Sequence, residues 1–127
     1  MHTIKSAAFC ALLLIAAPAV VFAHAKMNAS VPKDGAIVPA GLSEIELSFT
    51  KPLRLTMVHV MAATAHKEVP VTSELPKSFV KSAKLAVGAL TTGAYEVSWT
   101  AVADDGHVMN GIFKFTVREA QHPKPAQ

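Results

Sequence analysis

Alternation of apolar and polar side chains at every second residue constrains this chain more than any other feature. In SEIELSFT, residues 43–50, Ile45, Leu47 and Phe49 share one face while Glu44, Glu46 and Ser48 share the other, as a half-buried strand requires. The same period runs through LRLTMVHVM and GAYEVSWTAVA, where Tyr95, Val97 and Trp99 fall on one side. HKEVPV, SAKLAV and IFKFTVRE read as three further strands. Gly and Pro punctuate them, from Pro32–Gly35 and Pro39–Gly41 to Pro52, Pro70, Pro76, Gly93, Gly106 and Gly111. No 3.6-residue period is sustained, and only LPKSFVKSAKL has room for a short helical turn. Six or seven short, regularly spaced strands in about a hundred residues predict an all-β chain, an antiparallel sandwich.

The N-terminal segment breaks this pattern. His2 and Lys5 form a weakly basic start, Ala7 to Val21 is almost wholly apolar, and Val21-Phe22-Ala23 carries cleavage-type residues. An apolar core of roughly 15 residues falls short of the ~20 that span a bilayer, so residues 1–23 read as a cleaved signal peptide. Export is the expected consequence, with one domain over 24–119 and a polar, Pro-containing flexible tail over 120–127. Cys10, the one cysteine, lies inside the signal. The mature chain is therefore expected to lack disulfides, a thiolate nucleophile and a zinc ribbon or blue-copper centre. Lys5 is lost as well, leaving eleven basic side chains against nine acidic ones. Scattered and nearly balanced, they point away from nucleic acid.

The chemistry concentrates in VADDGHVMNG, 102–111, a polar loop between two strong strands. Asp105 and His107 flank Gly106, and such i, i+2 side chains can point the same way from a strand edge. Asp-Gly is also a common turn signal. Cleavage after Ala23 changes the weighting, because His24 then offers both a free α-amine and an imidazole Nδ1. With His107 and Asp105 this makes three nitrogens and one oxygen, the tetragonal N,O set that Cu(II) prefers. Nickel and zinc accept the same donor types. The amine, with an ordinary pKa of about 7.7, gives up its proton readily when a divalent ion competes for it.

HAKMNASVPKDGAIVPAGLSEIELSFTKPL resembles the opening of the CopC copper-resistance proteins, and GAYEVSWTAVADDGHVMNGIFKFTV resembles their C-terminal signature. The resemblance spans residues 24–118. It implies a seven-stranded, Greek-key, immunoglobulin-like β-sandwich or barrel in the periplasm. It also implies Cu(II) ligation by His24, Asp105 and His107, with Asp104 a turn residue. A monomer serving copper resistance follows, with a CopD-type inner-membrane copper transporter as partner.

Two departures from the family pattern matter. Lys51, in Phe49-Thr50-Lys51-Pro52, stands where the family commonly has a glutamate beside the metal. Losing such a supporting carboxylate costs about 10 to 100-fold in metal affinity. Some members of the family carry a Met-rich loop that binds Cu(I); the corresponding region here has Met57, His59, Met61 and His66 without the dense methionine cluster. Met57, His59 and Met61 alternate on one strand face, opposite Val58 and Val60, and form a candidate second site for Cu(I). Met27, replacing a usual leucine, and Met109 read as packing residues, and His122 belongs to the tail.

An N-terminal histidine chelating copper is also the arrangement of lytic polysaccharide monooxygenases. A copper-dependent oxidative enzyme is therefore the alternative. Few aromatic residues, the core positions of Tyr95 and Trp99, and a carboxylate in a copper position weigh against it. A third reading is an immunoglobulin-like interaction module with incidental histidines. The combined features select a non-enzymatic copper carrier.

Overall fold

A computed structural model describes residues 26–120. The expected signal peptide, His24, His122 and nearly all of the tail lie outside the described residues. Seven strands follow in order: β1 (Met27–Val31), β2 (Ala36–Pro39), β3 (Glu44–Ala62), β4 (Lys67–Val69), β5 (Val80–Ala86), β6 (Gly93–Ala103) and β7 (Val108–Arg118). No helix occurs among the described residues, in keeping with the all-β expectation. The short helical turn allowed for in LPKSFVKSAKL does not form; its second half is β5.

The strands make one curled sheet in the order β1-β3-β6-β7-β2, with β4 and β5 also paired to β3. β3 is its hub. Its first half pairs with β1 and β5, and its second half pairs with β6 and β4. The two strands read on either side of Pro52 are therefore one strand of 19 residues. Proline has no N–H for a ladder and is tolerated at a bulge. Pro52 sits where the register against β5 jumps, between Ser48 and Leu53. Partner exchange at this corner is what lets the sheet curl.

The sheet is not wholly antiparallel, as the sequence suggested. β2 runs parallel to β7, from Ala36 opposite Phe115 to Pro39 opposite Arg118. The turn before β2 sets this direction: the Lys114 N–H donates to Asp34 Oδ1 at 2.9 Å, and the Gly35 N–H donates to the Lys114 carbonyl at 2.7 Å. HKEVPV contributes only Lys67–Val69 before Pro70 ends pairing, and Val71 makes an isolated bridge to Val87.

The alternating faces pack as their periodicity demands. Ile45, Leu47, Phe49, Tyr95, Val97 and Trp99 are all buried, joined by Phe113, Phe115 and Val117 of β7. Trp99 meets Phe49 edge-on at 5.1 Å between centroids, and Tyr95 stacks on Phe115 at 5.6 Å. The Tyr95 hydroxyl donates to the Thr91 carbonyl at 2.8 Å, tying the start of β6 to the preceding loop. Gly111 lies opposite Trp99 in the ladder, and a Cβ there would come within 2.7 Å of the indole. The absent side chain lets the ring lie across β7.

Candidate metal centre

β6 and β7 stay paired out to Val102 and Val108. The loop read over 102–111 therefore shrinks to Asp104–His107, and its flanks belong to strands. The Ala103 N–H donates to the His107 carbonyl at 2.9 Å and the Gly106 N–H to the Ala103 carbonyl at 3.0 Å. Gly106 has φ +87° with open space around it, so glycine is needed here for backbone conformation and not for room.

This turn places Asp105 and His107 side by side, as the sequence suggested. Asp105 Oδ2 lies 2.7 Å from His107 Nδ1, and Asp105 Oδ1 accepts the His107 backbone N–H at 3.1 Å. Donation from the ring, and then from the backbone, holds the Asp105 carboxyl below the usual aspartate range. With Nδ1–H donating to the carboxylate, the lone pair of the neutral ring is on Nε2, the arrangement found in metal-ligating histidines. In this geometry Asp105 holds His107. To enter a coordination sphere shared with Nε2, it must exchange its bond to Nδ1.

Among the described residues, no three His, Cys, Asp or Glu side chains converge. A metal held by this pair needs further donors, and the first of the described residues, Lys26, comes near it. Lys26 is pinned to the β3 corner: its N–H donates to Thr50 Oγ1 at 3.1 Å, and the Thr50 N–H donates to its carbonyl at 2.9 Å. An open cleft of about 400 Å³ at this end is lined by Lys26, Met27, Trp99, His107 and Met109 among others. Lys51 is exposed on the same corner, directly after Thr50.

The second candidate set is placed differently. Val58 and Val60 are buried, while Met57, His59 and Met61 lie on the outer face of β3, with Met57 41% exposed. His59 Nδ1 lies 2.6 Å from Glu68 Oε1 on β4. Sequence reading missed this acid partner, because it depends on the register that sets Met61 opposite Glu68. His66 is exposed in the β3–β4 turn, at φ 50°.

The family model described as CopC domain matches residues 27–118. This chain belongs to the CopC family. A copper resistance protein C of Escherichia coli is 32% identical over 108 residues, covering 76% of this chain and 82% of its own length. The crystal structure of PcoC, a methionine rich copper resistance protein from Escherichia coli, superposes with a TM-score of 0.60 at 30% identity, covering 76% of this chain and 100% of that one. Copper transport protein CutJ of Bacillus subtilis is 25% identical over 113 residues, which are 86% of this chain but 21% of that protein. Membership in CopC, a family of copper-resistance proteins, makes the function copper-related.

Proposed function

We propose that this CopC protein binds Cu(II) at the end of the sheet formed by the β6–β7 turn and the start of β1. His24, exposed by signal cleavage, supplies its α-amine and imidazole, His107 supplies Nε2, and Asp105 holds His107 or joins it on the ion. The observation that carries this reading is that Lys26 and His107 line one cleft. His24 is two residues before Lys26, a span of about 7 Å at most, so the N-terminal donors start within reach of that ring. Three nitrogens with a carboxylate at hand suit Cu(II).

The protein sequesters or carries copper in the periplasm, without catalysis, and passes it to a membrane transporter. Support for transfer comes from CutJ, a named copper transport protein in which the matching segment is about a fifth of the whole.

Titration of the chain beginning at His24 with Cu(II), followed by EPR, tests the site. One equivalent should bind with nitrogen hyperfine structure from several donors, and His107→Ala should change that spectrum and weaken binding at least about tenfold. An unaltered spectrum in the variant excludes His107 as a ligand.

A further inference from the structure

Charge is unevenly spread over the described residues. The end of the sheet that holds the Pro52 corner and the β6–β7 turn carries Lys26, Lys51, Arg54, Lys77 and Lys81, all exposed, against two acids, Asp104 and Asp105. Over the rest of the described residues acids outnumber cations, seven to five. Positive charge therefore collects at one end of a chain whose overall charge is small.

Exposed apolar side chains run through the same end. Phe79 is 45% exposed and Val108 is 66% exposed. Contacts link the two: the Arg54 guanidinium stands 5.8 Å over the Phe79 ring, Arg54 lies opposite Val102 on β6, and Val102 lies opposite Val108 on β7. Val80 packs against the core, while Phe79 before it stays exposed, with Lys77 two residues earlier and Lys81 two later. Among the described residues, Arg54, Lys77 and Lys81 form no ion pair with an acid. Core packing does not account for a half-exposed ring set among cations that have no acid to meet.

We propose that this end of the sheet attaches to anionic bilayers, with Phe79 and Val108 entering the headgroup boundary and Arg54, Lys77 and Lys81 meeting lipid phosphates. Apolar side chains beside cations are the chemistry of proteins that lie on a membrane. Each cation close to an anionic surface strengthens attachment about fivefold. Lysine stems lie along apolar surface and carry their ammonium groups to the polar layer. Flexible cations on either side of an exposed ring fit a fluid array of phosphates better than one fixed acid, which favours lipid over an acidic protein. The attachment is reversible, since neither a few cations nor two apolar anchors hold a protein to a bilayer alone. His107 directly precedes Val108, so the contact sets the β6–β7 turn against the bilayer. The inference does not depend on which groups ligate the metal.

Co-sedimentation of the metal-free chain beginning at His24 with vesicles of phosphatidylglycerol and phosphatidylethanolamine tests the proposal, with pure phosphatidylcholine vesicles for comparison. The chain should partition onto the anionic vesicles and be released by salt, which screens exposed charges. Lys77→Gln/Lys81→Gln should weaken partitioning on the order of 25-fold, and Phe79→Ala about fivefold or more. Lys33→Gln/Lys67→Gln removes the same charge from the opposite end, where Gly35 is bonded to Lys114 and Lys67 pairs with Ala62, and should partition like the parent. In Phe79→Trp the new indole should shift its emission to the blue on the vesicles and be quenched by brominated acyl chains. Net charge alone does not produce that quenching. A parent that stays in solution with anionic vesicles would overturn the proposal and leave the corner to an acidic protein. Equal weakening in the Lys33→Gln/Lys67→Gln variant, or an unquenched indole in Phe79→Trp, would overturn it as well.

Discussion

At the scale of single residues, the Asp105–His107 pair is the best-defined chemistry in the molecule. The motif was legible because both residues flank a glycine at a strand end, and the structure brings them to 2.7 Å. Whether Asp105 ligates or holds was not legible, since spacing says nothing about which ring nitrogen a carboxylate takes. Glu68 beside His59 was illegible for a related reason: nine residues apart in sequence, they meet only through the β3–β4 register. The pair also makes a pH prediction. Both His107 donors favour the ionised carboxylate, so folding lowers the Asp105 pKa. The bond therefore supports the folded turn above the ordinary aspartate pKa and is lost as pH falls through the lowered one. In His107→Ala, the Asp105 titration followed by carboxyl carbon NMR should move up towards the ordinary aspartate value. An unmoved midpoint would mean that the ring bond does not hold in solution.

At the scale of elements, the strands with clean alternation were readable and the irregular ones were not. β6 reads buried at every second position along its length, and its boundaries match the stretch picked from sequence. β1 carries a register shift between Met27 and Ala29, and its exposed Asn28 and Ala29 break the period. β2 has four residues and ends in proline, so local pattern reads it as a turn. Its partner, β7, lies far along the chain, and parallel pairing has no local signature. The contact between β6 and β7 at Trp99 gives a sharper test of how strands fit. Gly111 leaves only van der Waals space for the indole, and a methyl group would fall 2.7 Å from a ring atom of a packed side chain. Gly111→Ala should destabilise the fold by about 1–3 kcal/mol, measured by urea unfolding. A change below about 0.5 kcal/mol, the range of ordinary surface substitutions, would show that the ring moves aside freely.

At the scale of the whole molecule, the curled sheet brings chain segments some eighty residues apart to one end, since Lys26 and His107 share a cleft. No cysteine lies within the described residues, so no disulfide among them ties that end, which is held by the β6–β7 ladder, the Lys26–Thr50 hydrogen bonds and apolar packing. In the proposed site, an ion bound by His24 and His107 would tie residue 24 to the β6–β7 turn and stabilise only the folded form. At a hundredfold excess over Kd this is worth about 2.7 kcal/mol. For a domain of this size, each kcal/mol raises Tm by roughly 4–8 °C, so saturating Cu(II) should raise Tm by on the order of 10 °C. On the proposed ligand set, the increase depends on the free amine of His24. A chain carrying one extra residue before His24 has a peptide nitrogen in place of that amine and should lose most of the increase, while its metal-free Tm stays the same. Scanning calorimetry of the two chains with and without Cu(II) decides the matter. Equal increases would mean that side chains alone hold the ion and that exposure of the amine has no part in binding.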